Sequence, residues 1–519
     1  MRRSPIWLAS LTTLCVAGAT LCAEPRAKPG YRSFCYDDWL CEFMVNPSPL
    51  EPKHLDMLVD EAAGGGADVL VMNPVGMTAS HPSKVWQTMW KAYAAGDRQA
   101  AFGSIPSAEV PDHEAMLKEM TRFADRKFDY LAYTFASCRR RGLATGASIR
   151  MNDVHGLGWG RNYLVSDFWL ENERLGFRSF FNYAHPEVRE HFLKLIREMI
   201  QDYDIDVLDL DFWRNPYCFP EDGKVDAHCD TMTAFVREIH EQIRESKKKI
   251  ALFVKVPASI PVARTQGFDV GRWARERLID GVVLGGYLHA AWSASADEFR
   301  QVVGDTVAVY AASDYFADTR ERLPPREMGL SADLMRGFAA GHLANGADGI
   351  YWFNFVVVRE AGIKRFCDKP PHRDFTRPQF EAIGQCNTLE ALRGRPKTYV
   401  ANNITMHQHE FDRPSQLPVT LKPGEEHAFC LLLAKEPQSA KVDVAVVLRA
   451  EASVGDLVVV RFNEASPNPR PAHQPGPADA QTLLFRVPPS VMRDGPNRIV
   501  VRNGPQPIRV VAFEVRVDK

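Results

Sequence analysis

The sequence predicts a closed barrel of eight strand–helix units followed by an antiparallel β-sandwich. Three observations carry that expectation. Eight short apolar segments alternate with helical patterns over roughly the first 355 residues, the signature of a (β/α)8 TIM barrel. None of the junctions carries the G-x-G-x-x-G spacing of an open dinucleotide-binding sheet. Beyond 393–397 the pattern becomes short alternating runs parted by Pro-, Gly- and Asn-rich turns, as in a sandwich. A chain of 519 residues has room for one large barrel and a smaller module.

Taken in order, Met1-Arg2-Arg3 is a basic start, 6–21 is apolar with small residues, and Ala23 precedes Glu24-Pro25. This reads as a signal peptide over 1–23, so the protein is expected to be exported to the periplasm, cell surface or medium. The barrel is expected over 24–392. Its predicted strands are 33–36, 69–73, 144–150, 207–212, 250–256, 281–285, 306–311 and 349–353. The helix before the fourth is plainest. His185-Pro186-Glu187 puts proline and an acid in the first turn, and Val188, Phe192, Leu195, Ile196, Met199 and Tyr203 follow a helical period. The sandwich, 393–519, is expected to carry strands at 417–421, 428–433, 442–448, 456–462, 482–487, 497–501 and 508–515, with a turn over 467–477. It is read as an accessory domain that supports the barrel.

Composition removes several classes. Lys+Arg is 63 against 65 Asp+Glu, a net charge of −2, without the basic excess of a nucleic-acid binder. No segment after the leader is long and apolar enough to span a membrane. No cofactor is expected. Gly156-Leu157-Gly158-Trp159-Gly160 lacks dinucleotide spacing, and no C-x-x-C occurs. Eight cysteines remain after the leader; Cys35/Cys41 and Cys218/Cys229 are the nearest pairs, either disulfide-bonded or buried free thiols.

Barrel chemistry sits at the C-terminal ends of the strands. The fourth strand reads Asp206-Val207-Leu208-Asp209-Leu210-Asp211-Phe212-Trp213-Arg214. Alternation puts Asp209, Asp211 and Trp213 on one face. Two carboxylates there would repel, so one must be protonated or paired, with Arg214 or Lys255 as counter-charge. The third strand supplies Arg150 and Asn152 on one face, then Asp153 and His155. Arg150 can hold a neighbouring carboxylate ionised, and Asn152 can bond a sugar hydroxyl. Further strand ends offer Glu42, Lys255, Tyr287, Asp314 and Asn354. Aromatics gather at the same end: Trp39, Trp159, Trp213, Tyr217, Tyr287, Trp292, Tyr315 and Trp352. Aromatic faces stack on sugar rings, and paired carboxylates with separated pKa values are what glycoside hydrolysis needs.

The stretch from His185-Pro186-Glu187-Val188-Arg189 to Tyr203-Asp204-Ile205-Asp206-Val207-Leu208-Asp209-Leu210-Asp211-Phe212-Trp213-Arg214 resembles the exported glycosyl-hydrolase-like family 10 barrels. In those, "NPEVR" opens a helix and "YDVDGIELDWMR" forms the fourth strand. Arg150-Met151-Asn152-Asp153 and Trp352-Phe353-Asn354-Phe355 look like companion motifs of related planctomycete-type proteins. The resemblance implies a TIM barrel with glycosidase-like chemistry and names no substrate. The same strand resembles the chitinase D-x-x-D-x-D-x-E motif at Asp206, Asp209 and Asp211, but Trp213 stands where that family has its acid.

The expected function is therefore hydrolysis of a poly- or oligosaccharide. Asp211 is the candidate nucleophile or base, Asp209 tunes it, and Asp314 and Asp153 lead as proton donors. Arg150, Asn152, His155, Trp213, Arg214, Lys255, Tyr287, Asn354 and Glu42 are candidate substrate contacts. The alternative is a non-catalytic carbohydrate-binding protein on the same barrel. A metal-dependent hydrolase is disfavoured because the only His-x-His, His407-Gln408-His409, lies after the barrel.

Overall fold

The computed structural model describes residues 28–38, 41–45, 48–286, 290–314, 330–354, 376–401, 414–450, 457–463, 471–475 and 480–518. The expected signal peptide, Trp39, Tyr287, Tyr315 and His407–His409 lie outside the described residues. Eight parallel strands close into a barrel in sequence order: β1 (Ser33–Asp37), β2 (Val69–Met72), β3 (Ala144–Arg150), β4 (Val207–Asp211), β5 (Ala251–Pro257), β6 (Gly281–Gly285), β7 (Ala308–Ser313) and β8 (Gly349–Trp352). A helix follows each strand. Pro52–Gly65, Tyr130–Arg140, Pro186–Asp202, Val225–Ser246, Val270–Arg275, Ala296–Val303, Ala332–Ala344 and Thr376–Gln385 supply the ring.

Strand alternation divides the barrel's side chains between two cores. Even-numbered positions of β1 and β7, with odd-numbered positions of β2, β4, β5, β6 and β8, fill the interior; Phe34, Tyr36, Phe253, Tyr310 and Tyr351 dominate it. The opposite faces pack against the helices. Trp352 belongs to that outer core, against Phe338 at 6.3 Å, and Trp292 packs on the same ring at 5.3 Å. Neither lies in the barrel interior, which corrects the expectation that both line the rim. Parity decides it for Trp352, since its neighbours Tyr351 and Phe353 point inward.

At the N-terminal end an aspartate precedes every second strand and caps the strand before it. Asp68 accepts from Ser33 N at 3.2 Å, Asp206 from Thr145 N at 2.8 Å, Asp280 from Leu252 N at 2.8 Å and Asp348 from Val309 N at 2.8 Å. Ser33 is the first residue of its strand, and Thr145, Leu252 and Val309 are the second of theirs; a buried N–H at a strand's start needs an acceptor, and the side chain supplies it.

The C-terminal region forms two antiparallel sheets. The larger contains β9 (Lys397–Val400), β10 (Val419–Leu421), β12 (Lys441–Arg449), β14 (Pro471–Pro475), β15 (Gln481–Val487) and β17 (Ile508–Asp518). The smaller holds β11 (Glu426–Leu433), β13 (Val459–Phe462) and β16 (Gly495–Arg502). Phe429 and Phe513 stack between them at 4.2 Å. β9 and β14 are strands that sequence patterning passes over. Expected as part of a turn, 471–475 instead pairs with β15; an edge position tolerates proline. The Cys218/Cys229 disulfide is absent, since both are free buried thiols; the Cys41 side chain lies outside the described residues.

Candidate active site

Register builds the site. β3 pairs with β4 so that Arg150 faces Asp211, and β4 pairs with β5 so that Asp211 faces Lys255. An Arg–Asp–Lys row thus crosses three adjacent strands inside the barrel. One step deeper stand Ser148 and Asp209. Lys255 joins the two layers. Its ammonium lies 2.9 Å from Asp209 Oδ2 and 3.4 Å from Asp211 Oδ2, and donates to Ser148 Oγ at 3.1 Å. Aromatic faces surround it, with Tyr36 at 4.1 Å, Tyr351 at 4.8 Å and Phe353 at 5.3 Å, an environment that favours a desolvated cation. Of the two expected counter-charges, Lys255 takes the role.

The two strand-four carboxylates differ. Asp209 is fully buried and accepts from Tyr351 Oη at 2.9 Å, while its Oδ1 has no partner. Burial pushes its carboxyl above the usual range against the pull of Lys255, and Asp211 adds to the rise. Asp211 accepts from Arg214 N at 3.0 Å through Oδ1 and meets Lys255 through Oδ2.

A second network begins at Arg150, which pairs with Asp153 at 2.9 Å and with Asp38. Burial opposes the guanidinium charge, but Asp38 and Asp153 outweigh it and hold its pKa above the ordinary value. Burial likewise opposes ionisation of Asp153, yet His155 and Arg150 keep its carboxyl well below the usual range. A carboxyl so held makes a poor acid, which corrects the expectation of Asp153 as proton donor. His155 Nδ1 lies 2.8 Å from Asp153, and its Nε2 lies 2.7 Å from Arg214 Nη2. A guanidinium only donates, so Nε2 accepts and the ring proton sits on Nδ1. Burial and then Arg150 push the Arg214 pKa down to about 10.

Asp314 directly follows β7, which runs two residues later than the sequence predicts. It continues the inward series of Tyr310 and Ala312. It is fully buried, and Asn354 donates to it at 3.2 Å. Asn354 has φ of +58°, a left-handed conformation that asparagine tolerates better than most residues. Trp213 also faces inward, 5.2 Å from Phe353. Asn152 stands apart from this group. Its amide donates to Tyr217 O at 2.7 Å and accepts from Phe181 N at 2.9 Å, so it braces loops rather than offering groups to a sugar. Glu42 is buried in the short helix Cys41–Val45, where Phe43 packs on Tyr130 at 5.0 Å. Tyr287 lies outside the described residues. A groove of about 570 Å³ is lined by Arg178, Tyr217, His228 and Gln266, and by none of the inward carboxylates.

Sequence reasoning underweighted Tyr36, Asp38 and Tyr351. Their signal was available: 34, 36 and 38 form one period-two series, as do 351 and 353.

No family model matches the chain, and no curated protein matches it. The family resemblance of the strand-four motif therefore has no support beyond those short motifs. Solved structures with a similar outline include a glycoside hydrolase domain, fucosidases and an amylase. The PgaB (BpsB) glycoside hydrolase domain from Bordetella bronchiseptica is 10% identical with a TM-score of 0.42, covering 69% of this chain and 99% of that one. An alpha-L-fucosidase from Vibrio sp. strain EJY3 is 10% identical with a TM-score of 0.38, covering 94% and 96%. A maltogenic alpha-amylase from Thermotoga neapolitana is 11% identical with a TM-score of 0.36, covering 93% and 98%. At these identities and scores no residue role transfers from them.

Proposed function

We propose that the protein is an exported glycoside hydrolase acting on a poly- or oligosaccharide at the C-terminal mouth of its barrel. One observation carries the reading. Two inward carboxylates end β4 and β7 in unlike surroundings, Asp211 beside the Lys255 ammonium and Asp314 beside the neutral Asn354 amide. Unlike environments separate acid from base. Asp211 is the nucleophile or base, and Asp314 protonates the leaving oxygen. Asp209 and Lys255 set the charge beneath Asp211, while Arg150 orders the mouth through Asp38 and Asp153.

The test is a glycan panel on the mature protein, Asp211→Asn and Asp314→Asn, with thermal melting as a folding control. Both variants should lose activity at least about 100-fold, and Asp314→Asn should recover on glycosides with activated leaving groups. Release by both variants at the wild-type rate would sink the assignment. Export is checked by sequencing the secreted product, which should begin at Glu24.

A second reading has its own support. Both Asp211 oxygens are engaged, and the residue is only 1% exposed. A carboxylate so committed suits a non-catalytic carbohydrate-binding barrel, and glycan binding without turnover would select it.

A further inference from the structure

Among the described uncharged side chains at the barrel mouth, two polar atoms have no hydrogen-bond partner, although their side chains are more than nine-tenths buried. They are Trp213 Nε1, on a side chain 3% exposed, and Asn354 Oδ1, on one 7% exposed. Trp213 continues the inward series of Asp209 and Asp211, so it stands one step above Asp211 on the way out of the barrel. Its ring lies 5.2 Å from Phe353, the residue before Asn354. The Asn354 amide nitrogen is committed to Asp314, which leaves the carbonyl oxygen over. Burying such atoms unpaired costs free energy, so each calls for a partner. An unpaired N–H donor and an unpaired C=O acceptor at one mouth match hydroxyls, which both accept and donate.

The charges of the site narrow the ligand further. Among the described residues the mouth carries five carboxylates, Asp38, Asp153, Asp209, Asp211 and Asp314, against three cations, Arg150, Arg214 and Lys255. Arg150 is taken by Asp38 and Asp153, and Lys255 by Asp209 and Asp211. With Asp314 holding the proton it donates and Asp209 raised toward its neutral form, the remaining carboxylates and the cations are equal in number, so a sugar charge of either sign would be buried without a surplus counter-charge.

We propose that Trp213 Nε1–H and Asn354 Oδ1 grip the hydroxyls of an uncharged sugar ring seated over Asp211, and so select neutral glycans over polyuronates and amino glycans. The inference rests on the glycan reading above. Where the chitinase-like motif has its glutamate, this chain then has a donor to substrate.

The experiment is calorimetric titration of wild type and Trp213→Phe with neutral cello-, xylo- and malto-oligosaccharides, oligogalacturonate and chitosan oligosaccharides of matched length. Phenylalanine keeps the ring against Phe353 and removes only the N–H. The best neutral ligand should bind wild type at least about tenfold more tightly than either charged one. Trp213→Phe should weaken it about tenfold with an unchanged melting temperature. The wild-type preference stands as a test even where the variant fails to fold. Equal or tighter binding of a charged ligand, or unaltered neutral binding by Trp213→Phe, overturns the proposal. Reducing-sugar release from the same samples separates the two readings. Trp213-dependent binding without release defeats hydrolysis and keeps the inference. Hydrolysis with KM and kcat untouched by Trp213→Phe does the reverse. Binding of none of these ligands defeats both.

Discussion

Lys255 holds two buried carboxylates and is itself fully buried, so its removal strands negative charge in the barrel. Lys255→Met should destabilise the fold by about 3–5 kcal/mol. Adding Asp209→Asn should recover part of that loss, because the two sites share one interaction. Urea unfolding of the single and double variants checks it; strict additivity would refute the coupling. Asp153 and Asp209 give opposite pH dependences. Asp153 titrates below its ordinary value in the fold, so the unfolded chain takes up its proton first. Its stabilising contribution is complete above about pH 4 and drains away as pH falls. Asp209 titrates above its ordinary value, so its contribution favours the fold at low pH and fades as pH rises through that raised value. Asp153→Asn should therefore cost on the order of 2 kcal/mol at pH 7 and flatten the acid loss of stability. A steeper acid limb in denaturant melts at pH 3–7 would contradict the assignment.

At the scale of strands, the aspartates before β2, β4, β6 and β8 repeat one device four times. Each carboxylate caps the preceding strand and divides the barrel into pairs of strand–helix units. The sequence shows the repeat once it is sought, in Ala67-Asp68-Val69, Ile205-Asp206-Val207, Ile279-Asp280-Gly281 and Ala347-Asp348-Gly349. These caps sit at the end of the barrel away from the candidate site, where barrels place stability rather than chemistry. Asp280→Ala should cost about 1–3 kcal/mol by orphaning Leu252 N, and it should leave glycan affinity unchanged. Chemical denaturation beside calorimetric binding tests both halves of that statement.

For the whole molecule, the helix Ala332–Ala344 is the joint between barrel and sandwich. Leu334, Met335 and Phe338 are buried, and so are Gly337 and Gly341. A helix buried on opposite faces packs against two bodies. A Cβ at Gly337 would overlap the Thr398 carbonyl oxygen of β9, and one at Gly341 would lie 2.5 Å from Leu432 O of β11. Lys397 and Glu436 add a fully buried ion pair at 2.6 Å beside this contact. Gly337→Ala should force the bodies apart and cost about 1–3 kcal/mol. Scanning calorimetry should then show the single transition broaden or split, and a sharp unshifted transition would count against a shared core.

The sequence by itself determined the barrel, the sandwich and the strand that carries Asp209 and Asp211. These follow from local rules: strand and helix periods, turn residues, and carboxylates set among apolar neighbours. Lys255 was also legible as a counter-charge, since a buried acid pair demands one. Tertiary structure alone decided that Lys255 rather than Arg214 serves it, because register puts Lys255 opposite Asp211. It also turned Trp352 outward, drew Asn152 into loop bracing, and brought Arg214 from the end of β4 against His155. Closing a barrel brings together side chains hundreds of residues apart, such as Tyr36 and Tyr351 around one ammonium. Spacing along the chain carries no record of such meetings, because the shear of the closed sheet sets them.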